Sequence, residues 1–203
     1  KRQVLHTLKL PLDRLDPFLD AKLLPEEVLQ VLQVIERRAT ERVPAAYITN
    51  QAWLGSYEFY VDERVLVPRS FIAELIPDRF SPWVSDSDAV ENVLELCTGS
   101  GCLAIMMADA FPNAVVDAID ISKDALAVAE RNIREYKLEG RVNPIESDLY
   151  ENVPFKKYDL IVTNPPYVNA SSMAKLPPEY LREPQIALHG GEDGMDLVRK
   201  IVA

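Results

Sequence analysis

The stretch Asn92-Val93-Leu94-Glu95-Leu96-Cys97-Thr98-Gly99-Ser100-Gly101, continued by Cys102-Leu103-Ala104-Ile105-Met106-Met107-Ala108, decides the fold. Its first half is a short apolar run that suits a strand, two glycines then permit a tight turn, and the apolar continuation suits a helix. In such a unit the glycines let backbone N–H groups approach a ligand closely, and the helix N-terminus offers partial positive charge. The spacing departs from the dinucleotide pattern G-x-G-x-x-G, because Cys97 stands at the first glycine position and the turn reads Cys-x-Gly-x-Gly. Many α/β proteins carry a glycine turn only for tight packing, so the turn needs its neighbours. Next in the chain, Ala114-Val115-Val116-Asp117-Ala118-Ile119-Asp120 is an apolar strand ending in an acid 19 residues after Gly101. A carboxylate there can accept both hydroxyls of a ribose.

Further on, Tyr158-Asp159-Leu160-Ile161-Val162-Thr163 runs directly into Asn164-Pro165-Pro166-Tyr167. The apolar run reads as a buried parallel strand. The two prolines fix φ and donate no backbone hydrogen bond, so the chain leaves the sheet in a stiff turn. That turn offers a side-chain amide, a free carbonyl and an aromatic ring at the edge where open α/β sheets bind ligands. These parts suit a planar NH2 group: the Asn164 side-chain oxygen and the Pro165 carbonyl accept its two hydrogens, while Tyr167 packs against the planar amide or base. The plain alternative is a tight turn, since Asn-Pro is a common turn opener.

Outward from these motifs, βα units are expected from about residue 70, with strands near 92–97, 115–120, 142–146 and 159–163. Ser122-Lys123-Asp124 caps the helix that starts at Ala125. Residues 45–67 alternate and are rich in aromatic and β-branched types, with Gly55-Ser56 in the middle, which predicts a hairpin. Residues 1–43 are expected to be helical. Pro25 with Glu26-Glu27 starts one helix, and Val28, Leu29, Leu32 and Ile35 form an apolar stripe expected to be core against neighbouring helices.

Composition bounds the function. A chain of 203 residues with 48% hydrophobic content can bury a full core. No apolar run approaches the roughly 20 residues that span a bilayer, and the N-terminus shows no signal-peptide core. Cys97 and Cys102, with His6 and His189, do not make a structural zinc set, and no metal is expected; the thiols read as small buried groups in a reducing compartment. That makes the cytoplasm the simple inference. The net charge of −10 argues against duplex binding and favours encounter with a basic protein.

Glu95-x-Cys97-x-Gly99-x-Gly101, Asp120, Ser147-Asp148-Leu149 and Asn164-Pro165-Pro166-Tyr167 together resemble the motifs of class I methyltransferases that use S-adenosyl-L-methionine, and more narrowly the protein glutamine N5-methyltransferases. The likeness extends over nearly the whole chain: Arg37-Arg38 through Pro44-Ala45-Ala46-Tyr47-Ile48 resembles the family's hinge. Val65-Leu66-Val67-Pro68-Arg69 resembles its approach to the cofactor, and Glu183-Pro184-Gln185 through Gly194 its segment after the catalytic turn. Two branches compete. The release-factor branch usually shows Pro-Arg-x-x-Thr-Glu, whereas here Pro68-Arg69 is followed by Ser70-Phe71-Ile72-Ala73-Glu74. That variant is similar to the branch that methylates a glutamine of the third large-subunit ribosomal protein.

The resemblance implies a Rossmann-like α/β sheet with a small N-terminal helical domain (1–43, substrate recognition), a β-hairpin connection (44–68) and a catalytic domain (69–203). It implies that the backbone at Cys97, Thr98 and Gly99 faces the methionine part of the cofactor and that Asp120 binds its ribose, with Gly101 and Ile121 also in the cofactor site. Asp148 and Leu149 would meet the adenine, and Glu95, Arg69 and Asn164 would complete the cofactor site. Asn164, Pro165 and Tyr167 would be catalytic, and a basic ribosomal protein the substrate. A release factor, or adenine N6 of DNA or RNA, are the alternatives, as is a cofactor-binding module without chemistry. Only four strands are clear where a class I sheet has seven, and the chain stops inside an expected helix from Met195 to Ala203, so a C-terminal portion is expected to be missing.

Overall fold

The computed structural model describes residues 2–11 and 14–203. The chain opens with α1 (Arg2–Thr7) and α2 (Pro25–Ala39), with a single 3-10 turn, Asp16–Phe18, between them. Residues 1–43 are therefore helical in two pieces rather than throughout, and residues 1, 12 and 13 of that stretch lie outside the described residues. α2 starts as its residues dictate: Pro25 takes the first helical position, and the Leu24 N–H donates to Glu27 Oε2 at 2.8 Å. Its apolar stripe is not core, which corrects the expectation. Val28, Leu29, Leu32 and Ile35 remain 39, 62, 55 and 49% exposed. The helices that pack on α2 are α1 and α3 (Ala45–Thr49), six and five residues long, too short to cover a four-turn face.

The expected hairpin forms as β1 (Ala52–Leu54) antiparallel to β2 (Tyr57–Phe59), turning at Gly55 with φ +59°. It is shorter than the alternation implied. Residues 45–49 are helical because Pro44 sets an extended N-cap ahead of two alanines.

The four expected strands are β3 (Asn92–Leu96), β4 (Val115–Asp120), β5 (Val142–Glu146) and β6 (Leu160–Thr163). They form one parallel sheet in the order β5-β4-β3-β6, with α4 (Cys102–Ala110) crossing from β3 to β4 and α5 (Lys123–Glu135) from β4 to β5. Alternation sorts the strands' side chains between two faces. Val93, Val116, Ala118, Val142 and Val162 pack under α4 with Leu103, Ile105, Met107 and Phe111. α4 is buried nearly all round, and each large side chain sealed there contributes about 1.5–3 kcal/mol. On the opposite face lie Leu94, Leu96 and Ile119. Asp117, on that face too, is 2% exposed yet compensated: it accepts from Asn143 at 3.0 Å and Tyr158 at 2.7 Å, and pairs with Lys156 at 2.8 Å. Pro144 is tolerated because β5 is an edge strand. The other edge, β6, leaves Ile161 49% exposed. Beyond β6 the chain passes through α6 (Ala170–Met173), 3-10 turns at Pro178–Arg182 and Gln185–Ala187, and α7 (Asp196–Val202), whose Ile201 packs on the second sheet face. No helix among the described residues is long and apolar enough to cross a membrane.

A buried amide ties the end of the hairpin to the turn after β3. Asn132 of α5, fully buried, accepts from the Tyr60 N–H at 2.8 Å and donates to the carbonyls of Tyr60 at 3.0 Å and Ser100 at 2.8 Å. Replacing it leaves three backbone groups unsatisfied in the interior. Asn132→Ala is expected to lower unfolding stability by about 3 kcal/mol. An unchanged urea midpoint would show that water substitutes for the amide.

Candidate active site

The carboxyl ends of the four strands open into a cavity of about 660 Å³, at the edge of the sheet where α/β folds hold ligands. Its wall brings together Arg69, Glu95, Cys97, Thr98, Gly99, Asp120, Ile121, Asp148, Leu149 and Asn164 from five separate stretches of chain. Three expected residues lie off the wall. Gly101, at φ +77°, caps α4, and a Cβ on it would stand 3.1 Å from the Cβ of Ala129, so its smallness serves the approach of α5. Pro165 is half-buried beside the wall, and Tyr167 is 63% exposed.

The glycine turn is held from beneath. At the end of β3, Cys97 has φ +60°, the left-handed conformation in which glycine is the easy residue, and Gly99 follows at φ +57°. Leu149, after β5, is held at φ +47°. Strained non-glycine backbone of this kind persists where the surroundings over-determine it. The Thr98 N–H donates to the Ile119 carbonyl at 2.9 Å and its hydroxyl to the buried Glu95 carboxyl at 2.5 Å. Asp120 accepts from the Gly99 N–H at 2.8 Å and the Ser122 N–H at 2.9 Å, tying the β4 end to the turn. Burial pushes the Glu95 carboxyl up to about 8, against the opposing bonds from Thr98 and Ala104. Burial also raises Asp120, offset by its backbone donors, and pushes the Cys97 and Cys102 thiols up to about 12, leaving them inert at neutral pH.

The opposite wall joins the segment ahead of β3 to segments that follow β6. Arg69 is engaged by the buried Glu183 carboxylate, and its guanidinium lies 4.7 Å from the Tyr180 ring centre. Arg64 is held by Asp62 at 2.6 Å. Both arginines of the wall are thus neutralised in place. Gln185, Ile186 and His189, with Lys200 of α7, complete this side, and the sequence alone assigns none of them to the site. The downstream segment is tied to α2 and the turn after it, since Glu179 pairs with Arg38 at 2.9 Å and Arg42 at 2.8 Å. At the end of β6, Asn164 faces this cavity. Among the described residues, nothing hydrogen-bonds its amide or the Pro165 carbonyl.

The methyltransferase small domain family matches residues 83–189. A ribosomal protein uL3 glutamine methyltransferase of Burkholderia pseudomallei is 62% identical over 206 residues, covering 98% of this chain and 67% of that relative. Proteins of the same name from Bordetella pertussis and Neisseria gonorrhoeae are each 58% identical over 98% of this chain and 67% and 66% of theirs. The chain belongs to the uL3 glutamine methyltransferase family. It spans about two thirds of the length of these relatives. Among solved structures, the hMettl16 catalytic domain bound to an RNA hairpin superposes with a TM-score of 0.53 at 13% identity, covering 88% of this chain and 62% of that one, which shows a shared fold alone. Like other members of the uL3 glutamine methyltransferase family, this is an S-adenosylmethionine-dependent enzyme.

Glu95 gives the site a measurable pH dependence. Its carboxyl titrates near 4.5 in the unfolded chain and near 8 when folded, so between those values the native state retains a proton that the unfolded state has released. Its contribution to stability therefore falls as pH rises through that window and is constant above it. Glu95→Gln removes this slope. Melting temperatures of the two proteins are expected to shift in the variant's favour between pH 5 and pH 8.5, and parallel curves would refute a neutral Glu95.

Proposed function

We propose that this chain methylates the side-chain amide nitrogen of a glutamine in ribosomal protein uL3, with Asn164 and Pro165 holding the amide. The carrying observation is the stiff turn at the end of β6, where a half-buried amide and a carbonyl with no hydrogen-bond partner among the described residues flank the cavity. The names of relatives at 58–62% identity favour the ribosomal acceptor over a release factor or a nucleobase.

The donor set fits the cofactor. Its sulfonium and ammonium are positive, and the wall offers Asp120 and Asp148 while Arg64 and Arg69 are already paired. Asp120 would hold the ribose, Asp148 the adenine amine, Ile121 and Leu149 the apolar faces, and the backbone at Cys97-Thr98-Gly99 the methionine end. Arg69 would shape the wall, fixed by Glu183. When bound, S-adenosylmethionine supplies a methyl group activated by its sulfonium, so the protein's task is mostly positioning. A primary amide is a poor nucleophile because its nitrogen lone pair is delocalised into the carbonyl. Acceptors at both N–H hydrogens orient the nitrogen and favour positive charge developing on it. The nitrogen gains a methyl and loses one proton, and no residue of the turn is a strong base, so that proton passes to water. Tyr167, exposed beside the turn, is positioned to pack on the approaching acceptor segment.

The net charge of −10 supports a basic protein as partner over duplex nucleic acid. Such an enzyme acts in the cytoplasm. Residues 1–43 serve recognition, 44–68 connect, and 69–203 carry the chemistry.

Labelled methyl transfer by the intact protein is the direct test, offered unmethylated uL3, a release factor and a nucleic-acid pool separately. Label on uL3 that disappears with a Gln→Ala acceptor is expected; label on either other acceptor alone overturns the proposal. Asn164→Ala should reduce turnover by about a hundredfold or more with cofactor affinity retained. Equal loss of both would make Asn164 a turn residue only.

A further inference from the structure

The acceptor turn is rigid within itself but poorly attached. Pro165 and Pro166 have no N–H to give, so between Asn164 and Tyr167 the backbone has little with which to fasten itself to the sheet. Upstream it continues from β6. Downstream, its hold comes from residues 188–194. The Val168 N–H donates to the Leu188 carbonyl at 2.8 Å and the Gly190 N–H returns a bond to the Val168 carbonyl at 2.9 Å. Val168 and His189 form a parallel bridge there.

Two glycines of this segment lie directly on the turn. A Cβ at Gly190 would stand 2.7 Å from both the Pro166 carbonyl oxygen and Tyr167 Cα, and 2.8 Å from the Gly194 oxygen, all closer than the 3.0 Å that real Cβ atoms respect. A Cβ at Gly194, φ +83°, would overlap the Tyr167 carbonyl oxygen. Every neighbour is backbone, so no side chain can swing away to make room. Gly140 is the contrast: φ +92° but nothing within 4 Å of where its Cβ would be.

We propose that Gly190 and Gly194 are positioning residues for methyl transfer, clamping the Asn164–Tyr167 turn so that the Asn164 amide and Pro165 carbonyl stay aimed at the acceptor nitrogen. This rests on the assignment of those two groups as acceptors of the glutamine amide. Alanine at either position must push the turn by several tenths of an ångström or more. Positioning at the reacting atoms is sensitive to such displacements, with a misplacement of about 1 Å costing about a hundredfold in rate.

The test compares Gly190→Ala and Gly194→Ala with Gly140→Ala in the intact protein, reading kcat and KM on uL3, cofactor Kd, melting temperature and hydrogen exchange at the Val168 amide. Gly190→Ala and Gly194→Ala are expected to lose about a hundredfold in kcat, to keep cofactor Kd, and to exchange Val168 faster. Gly140→Ala should lose only melting temperature. A folded Gly190→Ala with normal kcat, or one losing kcat and cofactor affinity in parallel, overturns the clamp. Should neither alanine variant fold, exchange in the unmodified protein decides: Val168 as fast as an open loop overturns the clamp, and Val168 protected like β6 upholds it. An unmodified protein that labels no uL3 defeats the acceptor assignment instead, while the exchange measurement still judges the clamp.

Discussion

β3 is hydrogen-bonded on both sides, to β4 and to β6, and must release its chain at Cys97 in a left-handed conformation before α4 can begin. The rest of the site hangs on that exit. The turn stays in place because Glu95, buried beneath it, takes the Thr98 hydroxyl, and because Asp120 reaches across from β4 to the Gly99 N–H. Gly101 then lets α5 come close enough for Asn132 to reach the Ser100 carbonyl. A carboxyl sealed in the core would ordinarily destabilise the fold; remaining largely protonated, it costs less and still accepts a hydrogen bond.

The two sides of the cavity are made differently. On the side of β3, β4 and β5, backbone groups and carboxyls are fixed by short, mostly local hydrogen bonds. On the side of β6, the wall comes from segments distant in sequence: Arg69 and Glu183 are 114 residues apart, Arg38 and Glu179 are 141. One side is a product of the βα unit; the other is assembled by tertiary structure.

That difference governs what was legible in the sequence. The four strands and the order of the motifs could be read because continuous apolar runs closed by Gly, Asp or Pro admit few alternatives, and their edges fell within a residue of expectation. Local geometry of the glycine turn was legible too, although Cys97 in place of glycine concealed that the backbone there still has φ +60°. Gln185, His189 and Lys200 were not assigned, since nothing local says that a chain far downstream folds back over the sheet end. Periodicity misleads twice: the alternation of 45–67 does not extend to Ala45–Thr49, which is helical behind Pro44, and the α2 stripe is apolar yet exposed, because periodicity shows which face is apolar without supplying something to cover it.

The ties from Glu179 to Arg38 and Arg42 lie at the surface, and Arg182 adds a bond to the Glu41 carbonyl at 3.0 Å. Exposed charges are screened within about 8 Å at physiological ionic strength, whereas the bond from Thr98 to the buried Glu95 carboxyl is shielded from mobile ions. Salt therefore reaches the two walls unequally. Rising ionic strength loosens the tie between α2 and the segment after β6 before it touches the bonds that hold the glycine turn, so one cavity has a salt-sensitive side and a salt-indifferent one.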